Sequence, residues 1–179
     1  MTVKAPWDRD WLRITPIQFE RMVVVYLHDI NAELRNFSVD HQETIAGPDS
    51  EFIMDAIATF EFLGAEFVVL IECKHHRNPI KRELVQVLAD KVHSVRAHKG
   101  MLFSTARFQK GAIEYAISQR IALVYFTKGS PVYETKARYG PVGPEREYDA
   151  YFVKLSDSGG ISYCFGAKDE VATYLFKKD

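Results

Sequence analysis

In this 179-residue chain, Asp55 and the tripeptide Glu72-Cys73-Lys74 are the residues whose types and spacing best suit chemistry. Asp55 to Leu63 alternates loosely and is rich in Phe, Ile and Thr, while Phe67 to Lys74 is a continuous apolar strand ending in polar residues. Gly64-Ala65-Glu66 joins the two as a hairpin, so the start of the first strand and the end of the second come to the same end. Side chains alternate with period two, which puts Glu72 and Lys74 on one face and Cys73 on the other. Two carboxylates and an ammonium thereby converge. Hard oxygen ligands suit Mg²⁺ or Mn²⁺, and magnesium keeps waters and meets phosphate through one or two carboxylates. A lysine beside them orients a water or helps deprotonate it, and offsets charge on a phosphorane-like transition state. The plain alternative is a pair of strand-end carboxylates facing water, with Lys74 a neutralising neighbour of little energetic weight.

Elements that position these residues follow from the pattern around them. Thr15-Pro16-Ile17-Gln18 is a capping-box start with proline at the first helical position. Phe19, Met22, Val23, Tyr26, Leu27 and Ile30 recur at spacings of three and four, which predicts a helix to about residue 34. His41 to Ser50 reads as a loop or irregular strand end, and a strand before residue 55 is left open. The strand Phe67 to Lys74 reads as buried on both faces and hence central. Asn78-Pro79 opens a second helix with Ile80, Leu84, Val87, Leu88, Val92 and Val95 on one side. Met101 to Ser104 is a strand, Gln109 to Ser118 a helix and Ile121 to Phe126 a strand. Beyond a loop at Gly140 to Pro144, Tyr148 to Leu155 and Ile161 to Phe165 form a second hairpin, with a short helix from about Asp169. The expectation is an α/β fold, a central mixed sheet flanked by helices, with a core over 1–130 and a C-terminal hairpin and helix over 131–179 packed on it.

Composition bounds the function. Hydrophobic residues at 47% and charged residues at 26% are those of an ordinary globular domain, not a disordered or fibrous chain. No apolar run approaches the roughly 18 residues of a membrane span. Met1 to Trp11 shows no apolar secretory segment, so the cytoplasm is expected. Cys73 and Cys164, the only cysteines, form no C-x-x-C pair, which excludes a cysteine zinc site. Net charge is only −1, yet residues 1–73 hold 5 Lys/Arg against 13 Asp/Glu and residues 74–110 hold 9 against 2. An acidic part followed by a basic part fits a carboxylate site beside a phosphate-attracting surface, with Lys81, Arg82 and Lys99 as candidate contacts. His75 and His76 read as exposed loop residues. Tyr133, Tyr139, Tyr148, Tyr151, Phe152 and Tyr163 read as packing of the C-terminal hairpin, with base stacking the alternative.

Taken together, Phe19-Glu20, Gly47-Pro48-Asp49 through Asp55, Val68 to Lys74, Gly100-Met101-Leu102-Phe103-Ser104-Thr105, Phe108, Ala112 and Ile121-Ala122-Leu123 resemble the PD-(D/E)xK nuclease superfamily, and within it the Mrr-type restriction endonuclease catalytic domain. The resemblance covers about residues 15–126. It implies a restriction-endonuclease-like fold and metal-dependent cleavage of DNA. By position, it makes Asp55 and Glu72 the ligands of Mg²⁺, with Mn²⁺ as a substitute, Lys74 the catalytic lysine and Glu20 an accessory carboxylate. Gln86 falls where some members place an active-site glutamine. Glu72 stands where the Mrr pattern often has glutamine, and in this it resembles the archaeal Holliday junction resolvases. A structure-selective resolvase, or a nuclease-fold module that mainly binds nucleic acid or protein, is therefore an alternative. No helix-turn-helix or zinc finger is present, so specificity is expected from a homodimer or a partner protein.

Overall fold

The computed structural model describes residues 14–30, 34–127, 130–135 and, for the backbone, 149–154 and 161–166. Its first helix, α1 (Pro16–Ile30), begins as its sequence dictates. Thr15 N–H donates to Gln18 Oε1 (2.8 Å) and Gln18 N–H to Thr15 Oγ1 (3.2 Å), a reciprocal cap. Phe19, Met22, Val23, Tyr26 and Leu27 are buried, whereas Ile30, expected in the same stripe, is 41% exposed at the helix end.

Next come β1 (Arg35–Ala46), β2 (Glu51–Phe62) and β3 (Ala65–Lys74), an antiparallel meander. Of His41 to Ser50, expected as loop or irregular strand end, residues 41–46 are the end of β1 and 47–50 the connection to β2; the sequence leaves this strand open because β1 is an edge strand whose polar residues face water and give no alternation to read. The β2–β3 connection is the pair Leu63-Gly64, not Gly64 to Glu66. Both residues have positive φ (53° and 78°), the geometry of a tight hairpin turn matched to strand twist.

The chain then crosses through α2 (Arg82–Ser94) to β4 (Lys99–Ser104) and through α3 (Lys110–Gln119) to β5 (Ala122–Thr127), which puts β3, β4 and β5 in parallel. Antiparallel β6 (Ser130–Thr135) completes a mixed sheet in the order β1-β2-β3-β4-β5-β6. β6 is a short edge strand that starts Ser130-Pro131, a sequence that reads as turn rather than strand. It carries the main sheet past residue 130. β7 (Asp149–Lys154) and β8 (Ile161–Gly166) pair as the expected second hairpin. The loop at 140–144 and the helix from 169 lie outside the described residues. Among the described residues, no helix is long and apolar enough to cross a membrane.

Alternation along the central strands sorts the core into two layers. Val69, Ile71, Cys73, Phe103, Val124 and Phe126 pack against α1, and Leu70, Leu102, Leu123 and Tyr125 against α2 and α3. On the α1 side Phe126 meets Phe19 and Tyr26 edge-on, each at 5.8 Å between centroids, contacts worth about 0.5–1.5 kcal/mol beyond burial. On the other side, α2 approaches β4 closely over Gly100, where a Cβ would come within 2.7 Å of Ile121 and 2.9 Å of Val92. Val87, expected in the α2 stripe, is 53% exposed, while Leu88 is buried as expected and Val85 and Ala89 join that face. The three-layer arrangement keeps β3 and β4 buried up to Cys73 and Ser104, near their C-terminal ends.

Candidate active site

Asp55 lies where the β2–β3 ladder gives out. The last paired residues are Ala56 and Ile71, and one more step sets Asp55 against Glu72. The alternation of β2 slips at this point: Met54 joins the core layer under α2 and α3, while Ala56 joins the layer under α1. On β1, Gln42 opposite has φ 53°, between the pairs His41↔Ala56 and Glu43↔Met54. Freed from regular pairing, the Asp55 carboxylate takes the place of a ladder acceptor, and Oδ2 receives the Cys73 N–H at 2.6 Å. Its Oδ1 has no partner among the described residues.

Glu72 is nearly buried, 9% exposed, on the face that looks towards α2. A carboxylate taken out of water needs opposite charge, and two ammonium groups supply it. Lys74 Nζ lies 2.5 Å from Oε1 and Lys91 Nζ, from α2, 3.0 Å from Oε2. Lys74 is half-buried at the end of β3, and Thr105 fixes that end. Thr105 N–H donates to the Lys74 carbonyl (3.1 Å), while its Oγ1 receives the His76 N–H (2.9 Å) and donates to the His76 carbonyl (2.7 Å).

The structure thus brings Asp55, Glu72 and Lys74 together, with Glu20 within electrostatic reach. Burial raises the Asp55 carboxyl above the usual aspartate range; the Cys73 amide opposes this, Glu72 raises it further, Lys74 lowers it and Glu20 raises it. Glu20 itself contacts His41 Nε2 (2.9 Å) and Gln42 Nε2 (3.4 Å) of β1, and its side chain is 13% exposed. Burial also pushes the Cys73 thiol well up, aided by the neighbouring carboxylates, which leaves it an inert apolar residue of the α1 layer.

As a test for a divalent cation, the donor set is hard oxygen, Asp55 Oδ1 is unengaged among the described residues, and Glu72 and Glu20 lie close enough to raise the proton affinity of Asp55. These features fit Mg²⁺ or Mn²⁺. Among the described residues no group of three or more His, Cys, Asp and Glu side chains is arranged to hold a metal ion. Two carboxylates with water completing the shell is the arrangement magnesium tolerates best.

The other expected residues fall elsewhere. His75 is not an exposed loop residue. Its ring lies 6.2 Å from that of Phe19, its Nε2 is buried without a partner among the described residues, and burial holds its pKa down. His76 is exposed. Gln86 is half-buried on α2, but the side chain from that helix on Glu72 is Lys91. Sequence reasoning missed Lys91, although Leu84, Leu88 and Lys91 stand at i, i+4 and i+7, the spacing of one helix face. Lys81 is the N-cap of α2, and Arg82 is exposed with its guanidinium 4.7 Å from the Tyr115 ring centre. Lys99 starts β4 opposite Val69, five residues from Lys74 along the sheet, or roughly 17 Å. Its ammonium donates to the Arg120 carbonyl.

No curated protein matches the chain. Solved structures similar to it include AF1548, a protein of unknown function, at 20% identity and TM-score 0.49, over 61% of this chain and 58% of that one. Can2 from Sulfobacillus thermosulfidooxidans, in complex with cyclic tetra-adenylate, is similar at 20% identity and TM-score 0.46, over 59% of this chain and 31% of its own. The chain therefore spans less than two thirds of either. A family model described as restriction endonuclease, that of the Mrr catalytic domain, matches residues 11–128, a stretch that begins just before α1, ends just after β5 and contains Asp55, Glu72 and Lys74. By that match, which covers well over half of its length, the chain belongs to the Mrr-type restriction endonuclease catalytic-domain family.

Proposed function

We propose that this nuclease domain hydrolyses DNA phosphodiester bonds in a divalent-metal-dependent reaction centred on Asp55, Glu72 and Lys74. The observation that carries the reading is the convergence of these three groups at the C-terminal end of β3, with Asp55 held by the Cys73 amide and Lys74 by Glu72. Asp55 and Glu72 would hold Mg²⁺ or Mn²⁺. When bound, the cation supplies Lewis-acid stabilisation of the phosphate and makes water more acidic. Lys74 orients the attacking water and offsets the negative charge that grows on the phosphoryl oxygens as the new P–O bond forms and the ester P–O bond breaks. Glu20, at one remove, adds negative charge that favours the cation.

The DNA backbone is met by the loops that follow β3 and β4. These two loops are zipped together: Ile80 N–H donates to the Arg107 carbonyl (2.8 Å) and Gln109 N–H to the Ile80 carbonyl (2.9 Å). The loops, with the first residues of α2 and α3, carry Arg77, Lys81, Arg82, Arg107 and Lys110, all exposed, at the same end of the sheet as Lys74. Lys81 and Arg82 stand at the positive end of α2, where cations are unfavourable for the helix, so their presence there supports a role in binding phosphate. Lys99 is remote from this surface.

Incubation with supercoiled, linear, single-stranded and branched DNA, each with Mg²⁺, Mn²⁺ or EDTA, tests the proposal. Cleavage of linear duplex with metal only supports it. Cleavage confined to branched DNA replaces it with a resolvase, and binding without cleavage under every condition refutes it.

A further inference from the structure

We infer that Lys91 is a resident counter-cation of Glu72, which a divalent metal must displace and which thereby sets the metal affinity of the site. The inference rests on the metal-dependent reading above and adds a residue and a property to it. Glu72 is almost fully buried, and each of its oxygens faces an ammonium, Lys74 on Oε1 and Lys91 on Oε2. The two lysines differ in origin. Lys74 follows Glu72 on the same strand and face, so the pair persists as long as β3 is formed. Lys91 comes from the last turn of α2 on a four-carbon stem that can swing its head away while its aliphatic part stays packed.

Before metal arrives, Asp55 and Glu72 present two carboxylates to one another in a partly desolvated place, and Glu20 adds a third negative charge nearby. Lys91 offsets that repulsion. Once a cation is bound at Glu72 within normal metal–oxygen distance, an ammonium left 3.0 Å from Oε2 would stand only a few ångströms from it, and like charges so close in low dielectric repel strongly. One of them must leave. The same contact therefore stabilises the metal-free protein and opposes loading.

The test is Mn²⁺ binding to the full chain by calorimetry, with melting temperature measured in EDTA, for wild type, Lys91→Met, Lys91→Gln and Lys91→Arg. Removal of the charge in Lys91→Met and Lys91→Gln is expected to tighten Mn²⁺ binding by about tenfold or more and to lower the melting temperature in EDTA. Lys91→Arg, which keeps the charge, is expected to bind as wild type does. Equal or weaker binding in both neutral variants overturns the inference while leaving the metal reading in place. Should Lys91→Met not fold, Lys91→Gln alone decides, since it keeps a hydrogen-bond donor towards Glu72. Absence of Mn²⁺ binding in wild type and variants alike removes the metal reading and this inference with it.

Discussion

Asp55→Asn is expected to stabilise the protein in EDTA while abolishing cleavage. Asparagine keeps the shape of aspartate, and its Oδ1 can still accept the Cys73 N–H, now 2.6 Å from Asp55 Oδ2. What the change removes is charge. In the folded chain burial, Glu72 and Glu20 raise the Asp55 carboxyl above its ordinary 3.8, outweighing the Cys73 amide and Lys74. A folded-state pKa above the unfolded one means that the folded state holds the proton more tightly. The contribution of Asp55 to stability is therefore fullest below the unfolded pKa and is lost as pH rises through the folded one. At neutral pH the ionised group works against folding. Solvent screening trims this effect at a half-buried site, and the Cys73 hydrogen bond, which favours the ionised form, already counts against it in the net direction. The net effect is a higher melting temperature for Asp55→Asn than for the wild type, on a scale of roughly 2–4 °C per kcal/mol for a chain of this size. Calorimetric melts in EDTA at pH 7 and again near pH 4 provide the assay, since the gain should shrink as wild-type Asp55 takes up its proton. Cleavage with Mg²⁺ should fall by about a thousandfold or more with one carboxylate ligand gone. A lower melting temperature in EDTA at pH 7, or near-normal cleavage, would refute the reasoning.

Glu20→Gln is expected to reduce turnover at limiting Mg²⁺ and to recover most of it at saturating Mg²⁺, because Glu20 contributes charge to the site from a distance; a loss independent of metal concentration would contradict that role. Gly100→Ala should destabilise by about 1–3 kcal/mol in urea unfolding, since the added methyl meets Ile121 Cδ1 at 2.7 Å and Val92 Cγ2 at 2.9 Å in a packed layer. In equilibrium binding to duplex DNA without cleavage, Lys81→Ala with Arg82→Ala should flatten the slope of log K against log salt by roughly 0.9 for each phosphate that is no longer neutralised. Lys99→Ala, at the opposite end of β4, should leave that slope unchanged.

Much of the site was legible because it depends on period two and on one hairpin. Alternation alone put Glu72 and Lys74 on one face, where the structure has them, and the hairpin alone brought Asp55 to the same end. What local pattern could not carry was everything set by neighbours distant in sequence. The sequence leaves a strand before residue 55 open, and His41 to Ser50 reads as loop or irregular strand end, because an edge strand with polar residues and two positive-φ positions, Asn36 and Gln42, has no apolar alternation. The slip at Asp55 that frees its carboxylate for the Cys73 amide arises from that same irregular pairing. His75 looked exposed because its polar neighbours mark a loop, yet α1 packs Phe19 against its ring. Lys91 was missed because a lysine on an amphipathic helix reads as solvated unless the buried Glu72 opposite is known. Lys99 was grouped with Lys81 and Arg82 by the charge of its segment, although α2 carries the chain back to the other end of the sheet before β4 begins.

The central claim, that Asp55, Glu72 and Lys74 form a metal-dependent DNA-cleaving centre, is tested most directly by Lys74→Met. The substitution keeps a flexible apolar stem of about the same bulk and removes the ammonium. A time course of supercoiled plasmid with Mg²⁺ should show conversion to nicked and linear forms by the wild type, none by the wild type in EDTA, and none by Lys74→Met in Mg²⁺, assayed well below the variant's melting temperature, which falls because Glu72 loses one of its two counter-charges, and with duplex binding close to normal. Cleavage by Lys74→Met at the wild-type rate, or cleavage by the wild type undiminished in EDTA, would contradict the account.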